Sequence, residues 1–249
     1  MKYSGNLISS PITRELRRDE KCKLVLRFLR QHIWSTQDIL QIVLSLQSRQ
    51  ATHKNLIGLE HKGLLRRHTY AALGGNITIW GITMQGQAQA FDIEFESMLP
   101  SYFEPSRVSE QTVRHELDIQ KLRLKAEALG WHSWVDGNRL GSKLKSQSRP
   151  DALCINLSGH LVAIECERTF KSLKRYEQIL ISYLKLIKSG EINSVVWVCP
   201  TKEMTQRLKM IITSIKHVQV LGQKIQIEPL KHHANLYFCS YDDWPIFIC

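Results

Sequence analysis

Arg149-Pro150-Asp151-Ala152-Leu153-Cys154-Ile155-Asn156-Leu157-Ser158-Gly159-His160-Leu161-Val162-Ala163-Ile164-Glu165-Cys166-Glu167 is the stretch on which the reading of this chain turns. Two apolar runs, Ala152 to Leu157 and Leu161 to Cys166, flank Ser158-Gly159-His160, so two strands joined by a tight connection are predicted. Side chains alternate along a strand, which sets Glu165 and Glu167 on one face. A three-residue connection pairs Leu157 with Leu161 and brings Asp151 opposite Glu167, so that three carboxylates converge. A two-residue turn would shift the register by one and send Asp151 to the other face. Like charges this close call for a positive partner, and hard oxygen ligands of this kind suit Mg²⁺ or Mn²⁺. Leu161-Val162-Ala163-Ile164 is apolar on both faces, as expected of a central strand. The competing structural reading is a surface hairpin whose acids pair with Arg168 and Lys171.

Working outward, a helix is expected from about Ser172 to Lys188 and a strand from Val195 to Cys199, a β-helix-β unit whose two strands should be parallel. Upstream, a helix from about Thr112 to Leu129 stops at Gly130. Trp131 to Val135 reads as a strand, Arg139 to Arg149 as a basic polar stretch, and Arg139 to Lys145 within it as a flexible loop near the acids. The N-terminal part has helical periodicity from about Asp19 to Leu46, enough for two helices, with Ser35 or Thr36 available to cap the second. A third helix runs from about Arg49 to Lys62, buries Leu56, Ile57 and Leu59, and stops at Gly63. Leu64 to Tyr70 and Ile77 to Thr83 form a hairpin through Gly74-Gly75-Asn76. Three helices and a hairpin predict a winged helix-turn-helix over residues 1–90. Residues 91–111 are expected to be a linker, and residues 112–249 an α/β domain with a central mixed sheet.

With 249 residues and 43% apolar composition, the chain is long enough for two ordinary cores. A formal net charge of +11 favours a polyanionic partner. No apolar run approaches membrane-helix length and Met1 to Thr13 lacks signal-peptide character, so no membrane insertion and a cytoplasmic, bacterial location are expected. The cysteines Cys22, Cys154, Cys166, Cys199, Cys239 and Cys249 lack zinc-ligand spacing and read as reduced thiols.

The Pro-Asp, the gap, the Glu-x-Glu and the following helix resemble the core of PD-(D/E)XK nucleases, with Asp151 and Glu165 in the two acidic positions. Arg149-Pro150-Asp151-Ala152-Leu153, Ala163-Ile164-Glu165-Cys166-Glu167-Arg168-Thr169 and Lys171-Ser172-Leu173-Lys174-Arg175-Tyr176, behind a winged helix, resemble the MobC-type plasmid mobilisation relaxases and the replication-relaxation family. The resemblance implies nicking of one DNA strand at a plasmid transfer origin by a metal-dependent endonuclease. It also implies an accessory mobilisation protein and a type IV secretion coupling protein as partners. Asp151, Glu165 and Glu167 are then the metal ligands. The family's lysine position holds Glu167 here, which leaves Lys171 to offset charge on the phosphate, with Lys174 as competitor. Among acids of the opening helix Glu116 fits best, ahead of Glu127 and Asp118, and the resemblance favours His115 as a further site residue.

The rival nucleophile to water is Tyr176, which lies seven residues from Tyr183 on one helical face; the adjacent His232-His233 pair is poor ligand geometry on a strand. Arg49, His53, Lys54, Arg66 and Arg67 are the expected phosphate contacts of the winged helix, joined by Arg149, Lys174 and Arg175 near the acids. Arg14, Arg17 and Arg18 read as an arm before the first helix. Two other functions compete: a catalytically inactive DNA-binding regulator of plasmid replication or transcription, and another endonuclease of the same superfamily.

Overall fold

The computed structural model describes residues 10–72, 75–91, 101–140, 148–220 and 222–245. The chain divides into two units, Met1–Leu117 and Asp118–Cys249.

In the first unit α1 (Pro11–His32) opens on a proline, whose missing N–H costs nothing in a first turn, and buries Val25, Leu26, Phe28 and Leu29. It starts eight residues before the expected helix because its first turns are exposed and show no apolar stripe. Arg14, Arg17 and Arg18 therefore belong to the helix and are not an arm. β1 (Trp34–Thr36) follows, then α2 (Gln37–Val43) with Ile39 and Leu40 buried; Thr36 stands at its cap position but its side chain makes no capping hydrogen bond. Ser48 does cap α3 (Arg49–His61), accepting the Ala51 N–H at 3.2 Å, and Gly63 closes it at φ 71°. Leu56 and Leu59 are buried as expected, whereas Ile57 is half-exposed.

β2 (Leu65–Ala72) and β3 (Gly75–Ile82) form an antiparallel hairpin that reaches the pair Ala72↔Gly75, so Gly75 and Asn76 belong to a strand; Gly74 lies outside the described residues. β1 adds to β3, giving the order β1-β3-β2. The short α4 (Met84–Gln89) is capped by Thr83, whose Oγ1 accepts the Gly86 N–H at 3.0 Å. Part of the expected linker is structured. Phe103 donates its N–H to Ile82 O at 2.8 Å and covers Gly81 so closely that a Cβ there would lie 1.9 Å from its ring. Tyr70 Oη likewise donates to Pro105 O at 2.7 Å.

The division between units falls within α5 (Val113–Ala128). The second unit continues through β4 (His132–Asp136), β5 (Ala152–Ile155), β6 (Leu161–Cys166), α6 (Leu173–Ser189), β7 (Ser194–Cys199) and α7 (Lys202–Thr213). It closes with the hairpin β8 (His217–Val220) and β9 (Gln223–Gln226), α8 (Pro229–His232) and β10 (Leu236–Ser240). A mixed five-stranded sheet has the order β10-β7-β6-β5-β4, so β6 is its central strand. β4, β5 and β6 run antiparallel to one another in turn, while β6, β7 and β10 are parallel. The expected parallel crossover is present as β6-α6-β7. Ser172 starts its helix, accepting the Arg175 N–H at 3.3 Å, and Gly190 ends it at φ 75°.

Strand alternation divides the core into two layers. Cys154, Val162, Ile164, Cys166, Val196 and Val198 pack with Leu122 and Ala126 of α5. Leu153, Ala163, Val195 and Trp197 pack with Tyr176, Ile179 and Tyr183 of α6 and Leu208 of α7. Glu165 shares the parity of the second set, so the central strand carries its carboxylate onto the α6 side. Leu129, expected as the last residue of this helix, is 49% exposed, and the helix ends one residue earlier at Ala128.

Candidate functional site

The β5-β6 pair fixes the geometry of the acids. Ile155 pairs with Leu161, Leu153 with Ala163 and Ala152 with Ile164, and Asp151 donates its N–H to Ile164 O at 2.9 Å. Asp151 thus stands just beyond the last pair of the ladder, and its Oδ2 accepts the Cys166 N–H beside Glu165. The expected partner was Glu167. The ladder is slipped by two residues from the expected Leu157-Leu161 pair, which keeps the strand faces unchanged, and Asp151 lies near enough to Glu165 for its charge to act there. The cause of the slip is Asn156, which leaves the strand two residues early: its Oδ1 accepts the N–H groups of Ser158 at 3.1 Å and His160 at 2.9 Å. Gly159 supplies the left-handed residue of this turn at φ 78°.

Each acid is held differently. Asp151 Oδ2 accepts the Cys166 N–H at 2.7 Å, which ties this half-buried carboxylate to the end of β6. Glu165 is 7% exposed and accepts a short hydrogen bond from Tyr183 Oη of α6; among the described residues it has no ion-pair partner. Burial, then the nearby Asp151 charge, push its carboxyl up to about 8, against the Tyr183 hydrogen bond and the charge of Lys171. Glu167 is buried, and Lys171 Nζ donates to its two oxygens at 2.6 and 2.5 Å. Burial still raises the Glu167 carboxyl, with Lys171 opposing. The expected third ligand and the expected phosphate-facing lysine are thus partners of one another.

Tyr176, the expected rival nucleophile, is 1% exposed and accepts the Lys171 N–H at 3.1 Å. Burial pushes its phenol up, which opposes ionisation and disfavours nucleophilic attack. Tyr183 is raised likewise, by burial and then by Glu165. Both tyrosines of α6 are hydrogen-bonding supports for the acids, a role their seven-residue spacing signals only once the strand face is known.

The remaining expected site residues are dispersed. Lys174 and Arg175 are exposed on the first turn of α6, with Arg175 within 3.4 Å of Gln178; Arg149 is exposed before Pro150. His115 and Glu116 belong to the first unit, where Glu116 accepts from Thr112 Oγ1 at 3.0 Å. Asp118 of α5 is buried, ion-paired with Arg168, and accepts from Tyr241 Oη at 2.8 Å. The family resemblance ranked it below Glu116, and the partner that singles it out, Tyr241, lies far along the chain. Glu127 pairs with Arg123 at 2.7 Å. His232 ends a helix instead of lying on a strand, and its Nδ1 accepts the Glu228 N–H at 2.8 Å.

Among the described residues no three His, Cys, Asp or Glu side chains form a ready-made ligand set for a metal ion. The donor chemistry nevertheless fits a hard divalent cation. Glu165 is a buried carboxyl that accepts a hydrogen bond from the neutral Tyr183 hydroxyl, beside a second carboxylate that destabilises its charge. Mg²⁺ characteristically takes one or two carboxylates and fills its shell with water and phosphate oxygens. Asp151 and Glu165 are the residues able to hold such an ion.

In the first unit four of the five expected DNA contacts, all but Arg66, lie on two grooves that share α3. Arg49, His53 and Arg67 line a polar groove of about 470 Å³ with Thr69 and Thr78. Arg49 pairs there with Asp38 at 2.5 Å, both well exposed, a contact weak enough to exchange for a phosphate. Arg67 lies 5.5 Å over the Trp80 ring, and Arg66 is exposed. Lys54 lines a second groove of about 380 Å³ with Arg18, Lys21 and Lys62. Sequence reasoning missed that cluster, whose one local signal is the helical spacing of Arg18 and Lys21.

Fold and site together define an α+β protein with a basic helical unit and a mixed-sheet unit whose central strand ends in neighbouring acids. Comparison with protein-family models, curated proteins and solved structures finds no match. No helix among the described residues is long and apolar enough to cross a membrane.

Proposed function

We propose that this chain is a divalent-metal-dependent DNA nickase of the plasmid mobilisation type, with a winged-helix module in the first unit and a PD-(D/E)XK-type nuclease domain in the second. The observation that carries this reading is the closeness of Asp151 to the buried Glu165 at the end of the central strand, where Asp151 accepts the Cys166 N–H and its charge raises the Glu165 carboxyl. A buried Glu165 carboxyl beside a second carboxylate is unfavourable for folding alone and favourable for gripping a cation. The basic grooves around α3 support duplex DNA as the partner, and the transfer origin, accessory mobilisation protein and type IV coupling protein follow from the family resemblance.

Asp151 and Glu165 would hold Mg²⁺ or Mn²⁺, which supplies Lewis acidity toward a phosphodiester and lowers the pKa of water. The chain's own residues do the positioning. The Cys166 N–H orients Asp151, and Tyr183 orients Glu165, which must lose its proton before it can serve as a ligand. Lys171, steered by Glu167 and by its own N–H bond to Tyr176, places a positive charge beside the acids, where it offsets charge gathering on the phosphate. Water is the nucleophile in this scheme.

Incubating supercoiled origin plasmid with the protein and Mn²⁺ should produce the open circular form, with Asp151→Ala and Glu165→Ala inactive. Nicking that persists in both variants, or that needs no metal, defeats the proposal. A second reading, a DNA-binding regulator without catalysis, is favoured by the ion pairing of Glu167 and the absence of a preassembled three-residue ligand set among the described residues. It expects tight DNA binding with no metal affinity at Asp151 and Glu165.

A further inference from the structure

The second unit carries an apolar groove of about 470 Å³ between α6 and the β8-β9 hairpin, on which the nickase reading does not draw. Leu184 and Ile187 of α6 form part of one wall, and Val220 and Ile225 of the hairpin part of the other. All four retain solvent exposure, Ile225 at 42%, so this apolar surface is only partly covered by the unit's own packing. Lys185, Lys188 and Lys231 line the same groove, and none of the three makes an ion pair. Among the described residues no acidic side chain lines it.

We propose that this groove docks an acidic amphipathic helix of a partner protein. An apolar trough accepts a row of large side chains spaced at i, i+3, i+4 and i+7, and lysines along it select carboxylates flanking that row. A second copy of this chain is disfavoured as the occupant, since each copy carries a net charge of +11. A flat bilayer surface cannot fill a concave trough, and nucleic-acid phosphates gain nothing from its apolar walls. The inference is independent of the acids on β5 and β6.

The test uses the full chain and a fluorescein-labelled synthetic helix carrying leucines at those spacings between glutamates. Its controls are the same leucines between lysines, a scrambled order of the acidic peptide, and vesicles containing phosphatidylserine. Anisotropy should show the acidic helix binding roughly tenfold or more tighter than either peptide control, weakening with salt. Ile225→Asp and the pair Lys185→Glu with Lys188→Glu, all at exposed positions, should each weaken binding roughly tenfold without changing the circular dichroism spectrum. Absence of binding, equal binding of the lysine or scrambled peptide, preference for vesicles, or indifference to both sets of substitutions would overturn the proposal. Because Asp151→Ala and Glu165→Ala should leave this binding unchanged, its failure is distinguishable from failure of the nickase reading.

Discussion

Glu165 carries a proton at neutral pH when no cation is near, because burial and Asp151 raise its carboxyl to about 8. A group raised in the folded state favours folding most fully below its unfolded value, here 4.5, and loses that contribution as pH rises through about 8. The metal-free protein should therefore melt at a lower temperature at alkaline than at mildly acidic pH, and Glu165→Gln should flatten that part of the profile. Equal slopes for the wild type and Glu165→Gln would contradict the assignment. Lys171 offers a second test at this scale. Lys171→Met leaves the buried Glu167 carboxylate without its cation and should cost roughly 1–3 kcal/mol in denaturant unfolding. Adding Glu167→Gln should restore much of that loss, since the orphaned charge is then gone.

Elements with their own punctuation were readable in the sequence, and those that depend on distant partners were not. α6 lies between a capping serine and a left-handed glycine, α3 between Ser48 and Gly63, and the sequence marks both. β1 is only three residues long and exists because it pairs with β3, which periodicity cannot anticipate. The elements after Pro200 were unread, for β10 is a strand through its pairing with β7. The site was legible in its face and not in its register. Alternation put Glu165 and Glu167 on one face, and Asp151 joined them only through the assumed three-residue connection, while Asn156 ends β5 two residues early and slips the ladder by two. Gly159→Ala, which forces a Cβ into φ 78°, should cost roughly 1–2 kcal/mol in unfolding experiments while leaving metal affinity intact, because the strand pairing still sets the acids. Loss of metal affinity in that variant would show that the turn, not the ladder, holds the pair.

For the whole molecule the net charge of +11 and the two grooves around α3 predict duplex binding that weakens steeply with salt. Lys54→Gln together with Lys62→Gln should reduce the slope of log K against log salt by about two, across unrelated DNA sequences alike. An unchanged slope would take the α1-α3 groove out of the DNA contact surface. The account's central claim is that Asp151 and Glu165 together hold a divalent cation, and Mn²⁺ titration followed by electron paramagnetic resonance tests it most directly. The wild-type protein should bind Mn²⁺ with an affinity that rises with pH as Glu165 gives up its proton, and Asp151→Ala and Glu165→Ala should each abolish that binding. Binding that survives in both variants, or none in the wild type at any pH where it is folded, would contradict it.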